Sequence, residues 1–546
     1  MKKSILWTSM VASLAVAGLS SNVSAANVPS NTQLSQQQNF TFNNQMEPGT
    51  IDPTLSSDVY GQRIDNDLFE GLMTVDANGN MRPGVAKSFD VSDDHLTYTF
   101  HLRKNAKWSD GSPVTAHDFV YAWERLANPN TASPYAYYIG LANVKNANAI
   151  IAGKKKPSTL GVKAINDYTF QVSLKKVTPY FVQMLANGSL MPVPQKTIEK
   201  WGDKWTNPEH IVSNGAYKLT KHIVNGRFVA KRNPLYWDDK NTVINQVTYL
   251  EIKEADSDVN RYQAGGEDMT GWRLPPNPVF TQLQNQYPNQ LKITPDLSTE
   301  YMAFNVRKKK LSDPKVRRAI SYGFDRDIIS KDVLGPAFSP LYTFAPTKTA
   351  NYAPIQTQQE KLSPQERYKL ARKWLKEAGF DKNHPLQINL LYASSPMLKK
   401  VNTAIASMLS TNIGVNVTIS NQDWKSYLNT TQETNNWDVA VSGWSGDYND
   451  PMTFYSILTP NGSENTGHWN NKKYGKLLNK TGVTLDVNKR KKLYNELEKQ
   501  IDKSAPVSPI YQAQATRLVK PYVQGLPMND ALNFVYTKDL YLTKHS

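Results

Sequence analysis

Val85-Ala86-Lys87-Ser88-Phe89, Leu96-Thr97-Tyr98-Thr99-Phe100-His101-Leu102-Arg103 and Ala106-Lys107-Trp108-Ser109-Asp110-Gly111-Ser112-Pro113-Val114-Thr115-Ala116-His117-Asp118-Phe119 follow one another along the chain. Thr97 to Leu102 alternates polar and apolar residues, the period of a strand. Thr115-x-x-Asp118 then has the form of a capping box. It opens a helix with Phe119, Trp123 and Leu126 on one face.

The same interleaving continues outward. Val316, Ile320, Phe324 and Ile328 recur every four residues and predict a helical stripe. Ser363-Pro364-x-Glu366 is a helix start, with Gly379 placed to stop that helix. Leu386, Ile388 and Leu390 predict one strand, and Val415, Val417 and Ile419 another. Leu493, Leu497 and Ile501 mark a late helix. Pro275-Pro276-Asn277-Pro278 reads as a turn or linker. The fold class is mixed α/β. At 546 residues the chain makes two to four domains of roughly 150 residues each.

Composition narrows the function. Hydrophobic residues are 39% and charged residues 20%, as in globular proteins and unlike disordered or fibrous ones. The absence of cysteine excludes disulfides, thiolate metal sites, a Cys nucleophile and lipid attachment through an N-terminal Cys. The net charge of +16 is spread along the chain. Lys154–Lys156 and Lys308–Lys310 are short runs that read as solvated faces, so no nucleic-acid partner is expected.

Met1-Lys2-Lys3 is basic, Ile5 to Leu19 is apolar apart from Ser and Thr, and Val23-Ser24-Ala25 is a small-x-small site. Residues 1–25 therefore read as a cleavable signal peptide. No other stretch approaches the ~18 apolar residues of a membrane span. An exported chain without a lipid anchor stays near its cell only behind an outer barrier, which points to a Gram-negative periplasm, or else to true secretion.

No catalytic constellation emerges. Neither G-x-G-x-x-G nor G-x-x-x-x-G-K-[ST] occurs, and Gly443-Trp444-Ser445-Gly446 lacks the spacing of a nucleophile elbow. None of the eight histidines stands in H-E-x-x-H, and each reads as a surface or core residue. Asp93-Asp94 and Asp238-Asp239 sit in polar, turn-like stretches. No metal and no cofactor is implied. A large exported protein without a visible active site suits a receptor that buries its ligand between domains.

The stretch 85–119 resembles the signature of the family 5 extracellular solute-binding proteins, the peptide and nickel receptors of ABC importers. Asp67-Leu68-Phe69-Glu70-Gly71-Leu72, Ser213-Asn214-Gly215-Ala216-Tyr217 and Val316-Arg317-Arg318-Ala319-Ile320 agree with it. Within the family the chain is most similar to the enterobacterial oligopeptide receptors, through Asn130-Thr131-Ala132-Ser133-Pro134-Tyr135-Ala136, Leu160-Gly161-Val162-Lys163-Ala164, Val243–Leu250 and Arg517-Leu518-Val519-Lys520-Pro521.

The resemblance implies a periplasmic-binding-protein-like fold of class II, a three-domain clamshell with a discontinuous domain I. Its parts would be domain I at 26–70, 195–297 and 515–546, domain II at 71–194 and domain III at 298–514. It also implies a monomer that is not an enzyme and that binds an oligopeptide between two lobes. The ligand then passes to an inner-membrane permease with its ATPase subunits. In Gly443-Trp444-Ser445-Gly446-Asp447-Tyr448-Asn449-Asp450-Pro451, the family's ligand-contacting loop, Asp447 falls on the partner of the ligand's α-ammonium. Gly443 and Trp444 fall on backbone and pocket-wall positions, Tyr135 and Trp424 on further ligand contacts, and Arg273 in a ligand-contacting stretch of domain I.

There are departures. Ser298 and Ser445 stand where the peptide receptor carries a disulfide, and Leu334, Leu398, Thr431 and Val441 where it meets the ligand carboxylate with basic and His side chains. A non-peptide amphipathic solute is therefore the alternative ligand within the same receptor class. A secreted hydrolase is the reading outside it.

Overall fold

The computed structural model describes residues 26–545 except 77, 461 and 463, together with the backbone but not the side chains of Trp424 and Lys425. The expected signal peptide lies outside the described residues.

The stretch 85–119 supplies the first two strands of an antiparallel sheet in the order Ala86–Val91, Thr97–Leu102, Thr169–Ser173, Val162–Asn166. Tyr98, Phe100 and Leu102 are buried while the intervening residues are half-buried. The helix Ala116–Ala127 starts as expected, with Asp118 accepting from the Thr115 amide at 2.7 Å. Phe119, Trp123 and Leu126 are all fully buried. Trp123 donates its indole N–H to the Leu190 carbonyl at 2.9 Å.

A second four-stranded sheet runs Asn39–Asn43, Gln246–Leu250, Arg227–Arg232, Tyr217–Ile223. Its first pair is parallel, so the chain leaves this sheet, builds the first one, and returns.

The largest sheet has seven strands. Its order is Leu291–Pro295, Val507–Leu518, Ser298–Phe304, Val439–Ser445, Gln387–Ala393, Asn416–Gln422, with Phe338–Pro340 paired to Val507–Leu518. The long strand Val507–Leu518 pairs with Ser298–Phe304 through residues 507–511 and with Leu291–Pro295 through residues 514–518. Between residues 511 and 514 this strand therefore passes from one partner to the other.

Packing corrects two sequence expectations. The helix Pro314–Tyr322 buries Val316 and Ile320, and Phe324 is buried just beyond it, but Ile328 is 42% exposed. The helix stops at Gly323 and the chain resumes in a wider-wound helix over Ile328–Leu334, so the four-residue spacing loses its common face. Ile419 was expected on a buried face and is exposed, because Asn416–Gln422 is the rim strand of its sheet. Ser363 and Glu366 do form the predicted capping box, and Gly379 takes φ +88° after that helix. Leu497 and Ile501 are buried on the helix Val487–Ser504.

Candidate functional site

The strand Val439–Ser445 is flanked on one side by Ser298–Phe304 along its whole length. On the other side Gln387–Ala393 pairs only with residues 439–441. Residues 443–445 therefore present an open edge, and unpaired strand edges are where an extended chain adds. Beyond the strand, the Gly446 amide donates to the Leu297 carbonyl at 2.7 Å and the chain turns into the helix Met452–Tyr455. Thr453 Oγ1 accepts from the Asp447 amide at 3.3 Å and from the Trp444 indole N–H at 3.4 Å, which ties the loop to the tryptophan. Asp450 is fully buried beside Arg490 at 3.4 Å and accepts from the Tyr494 hydroxyl. It is a structural carboxylate under the loop.

Asp447 points out of this loop toward a second segment. The Tyr135 hydroxyl donates to Oδ1 at 3.3 Å and the Tyr137 hydroxyl to Oδ2 at 3.4 Å. Tyr138 donates to the Asp447 carbonyl at 3.5 Å and to Met184 O at 3.2 Å. Tyr135 is held just before the helix Ala136–Leu141 because its amide donates to Ser133 Oγ, which itself donates to the Thr54 carbonyl at 2.6 Å. The three phenols lie 5.5–6.4 Å apart, and Tyr138 meets Tyr448 edge-on at 6.3 Å. Among the described residues no Lys, Arg or His forms an ion pair with Asp447. Enclosure pushes its carboxyl up to about 6; the two phenol hydrogen bonds pull it down and Glu464 adds to the rise. Such a group has affinity for a cation that enters the site.

The other expected residues fall as follows. Gly443 is exposed and stands directly opposite Glu300. Trp444 is half-buried opposite Thr299. Trp424 opens the helix Trp424–Glu433, and its side chain lies outside the described residues. Arg273 is not a free charge. It pairs with Asp296 at 2.8 Å, and the Trp272 ring lies 4.7 Å from both Arg273 and Arg63. Leu334 and Val441 are buried in the core beneath the seven-stranded sheet, with Leu398 packed against it, and Thr431 is buried and donates to Tyr427 O. Ser298 and Ser445 are direct cross-strand partners.

Tyr137, Tyr138 and Glu300 were not singled out from the sequence. The run Tyr135-Ala136-Tyr137-Tyr138 carried a signal in its tyrosine density. Glu300 carried none, since it meets Gly443 only through strand pairing. His222, expected to be an ordinary core or surface histidine, lies 2.8 Å from Glu47, with Glu251 alongside. These three are the one group among the described residues with metal-ligand spacing, at the turn end of the second sheet.

A family model described as bacterial extracellular solute-binding proteins, family 5 Middle, matches residues 80–466. A periplasmic oligopeptide-binding protein of Salmonella typhimurium, OppA, is 43% identical over 544 residues, covering 100% of this chain and 99% of that one. The Escherichia coli murein tripeptide-binding protein MppA superposes with TM-score 0.83 at 38% identity, over 94% of this chain and 100% of that one. Haemophilus influenzae OppA in complex with the peptide RPPGFSPFR gives TM-score 0.81 at 41% identity, over 94% of this chain and 100% of that one. The folds agree across nearly the whole chain, and the tyrosine-faced loop lies within the stretch the family model matches. The chain belongs to the bacterial extracellular solute-binding proteins of family 5.

Proposed function

We propose that this chain is a periplasmic receptor of an ABC importer that binds oligopeptides between two lobes and delivers them to an inner-membrane permease and its ATPase subunits. The observation that carries this is Asp447, an enclosed carboxylate with two phenol donors and no protein cation, beside the open strand edge 443–445. A peptide supplies what both features lack. Its α-ammonium neutralises Asp447, and its backbone N–H and C=O groups complete the edge. Both groups are common to all unblocked peptides, so affinity comes without a fixed sequence.

The chain acts as a monomer and does not turn its ligand over. Residues 26–70, 195–297 and 515–546 form one domain, 71–194 a second and 298–514 a third. The lobes close about the crossing strands near residues 297 and 514. A leader ending at Ala25 carries the chain across the inner membrane, and no helix among the described residues is long and apolar enough to anchor it there.

Calorimetry with unblocked and N-acetylated peptides tests the proposal. Wild type should bind unblocked peptides with Kd from about µM to tens of nM, or about −8 to −10 kcal/mol. Asp447→Asn should lose about 2–4 kcal/mol, because it strands the ligand's ammonium. Acetylation should weaken wild type strongly and Asp447→Asn hardly at all. No heat with any peptide, together with a bound non-peptide solute seen by native mass spectrometry, would overturn it.

A further inference from the structure

Glu300 is a second carboxylate at this site, and it has no partner. It forms no hydrogen bond or ion pair with any described residue, while Arg273, the cation whose charge reaches it, is engaged by Asp296 at 2.8 Å. On the sheet Glu300 stands directly opposite Gly443 on one side and Tyr511 on the other. Cross-strand partners project to the same face, so the carboxylate and the Tyr511 ring lie on one side of the sheet with bare Gly443 between Glu300 and the open edge. A Cβ built on Gly443 would come within 2.8 Å of Glu300 Oε2. The carboxylate therefore lies over the glycine, in the space a side chain there would fill. Along the same face the next pair inward, Met302 and Val441, is fully in the core, and the next pair outward is Ser298 and Ser445. Glu300 marks the point where this face leaves the core and meets the cleft.

An extended ligand added at residues 443–445 places one of its side chains over Gly443. With no side chain on the glycine, the first protein group that side chain meets is the Glu300 carboxylate. We propose that Glu300 is a specificity-determining residue that selects ligands carrying a second cation, a lysine-, arginine- or diamino-acid-type side chain, in addition to the α-ammonium at Asp447. This rests on the peptide-receptor reading. Asp447 stands four positions past Gly443 and two past the end of the strand, at most about 13 Å away at the rise of a strand, which puts the second cation on about the third to fifth ligand residue. Enclosure already pushes the Glu300 carboxyl up to about 8, with Arg273 acting to lower it, so an entering cation would ionise the group.

The test is calorimetry of wild type and Glu300→Gln against a set of alanine pentapeptides in which one lysine, or one norleucine of similar length, is walked through each position. Wild type should bind one lysine peptide at least tenfold more tightly than its norleucine twin, at residue three, four or five. At pH 7 that binding should release a proton, seen as a dependence of the heat on buffer ionisation enthalpy. Glu300→Gln should erase both the gap and the proton release while still binding norleucine peptides. Its thermal melt should be no lower than that of wild type, since no contact is lost and the amide needs no proton to stay buried. Equal affinity for lysine and norleucine at every position, or a gap that survives Glu300→Gln, would overturn the proposal while leaving the receptor standing. Failure of wild type to bind any pentapeptide would overturn both.

Discussion

The Tyr135 hydroxyl donates to Asp447 Oδ1 at 3.3 Å across 312 residues of sequence. The bond joins the start of the helix Ala136–Leu141 to the loop that follows the strand Val439–Ser445. It gives the carboxylate a direction and leaves its charge uncompensated, which is the state a ligand cation would complete.

The first consequence is a pH dependence of binding. Asp447 carries its proton up to about pH 6 in the empty protein. An ammonium ligand needs the ionised form, so binding expels that proton. Affinity should be flat between about pH 6.5 and 7.5 and should fall below pH 6, approaching tenfold per pH unit. It should fall again as the ligand α-amino group deprotonates near about 8. Titration calorimetry at half-unit steps would read this, and equal affinity at pH 5 and pH 7 would refute it.

Tyr135→Phe keeps the tilted ring contacts with Tyr137 and Tyr138 but removes a donor that holds the Asp447 carboxyl down. The acid limb of the binding profile should therefore move to higher pH. Near pH 6 binding should weaken by about 0.5–1.5 kcal/mol, the net worth of one hydrogen bond. At pH 7.5 the loss should be smaller. An unshifted limb would show that the phenol does not act on the carboxylate.

Ser298 and Ser445 are direct partners on adjacent antiparallel strands. Opposed positions bring Cα atoms to about 4.5–5.5 Å, within the range a disulfide spans. Ser298→Cys with Ser445→Cys should cross-link on mild oxidation and raise stability by about 2–4 kcal/mol, reversed by reductant. Denaturant melts with thiol counting would check it; two free thiols after oxidation would contradict the pairing.

Glu498 is 1% exposed and accepts from the Phe344 amide at 3.0 Å and the Tyr455 hydroxyl at 2.8 Å. Burial pushes its carboxyl up to about 7. The folded protein thus holds a proton that the unfolded chain loses near about 4.3. Stability should fall as pH rises from about 4.3 to 7 and level off above, a contribution of up to about 3 kcal/mol. Glu498→Gln keeps an acceptor without a charge. It should flatten this part of the profile and be the more stable form at pH 8, read by melts from pH 5 to 8. A variant whose melts track wild type across that range would exclude the assignment.

The sequence by itself determined the local elements and the family. Thr115 and Asp118 cap their helix through neighbours three residues apart, and Thr97–Leu102 buries alternate side chains, because both effects depend on short spacing. The order of motifs from Val85 to Phe119 carried the resemblance, and through it the expectation placed on Asp447. Ile328 and Ile419 escaped, since where a helix stops and which strand takes the rim of a sheet depend on distant packing. Only the tertiary structure decided that Tyr135 and Tyr137 face Asp447, that Arg273 is held by Asp296, and that Glu300 lies over Gly443. The physical reason is the same in each case. Hydrogen bonds and charges act over a few ångströms, and strand pairing brings together residues far apart in sequence with no trace in the pattern around either one.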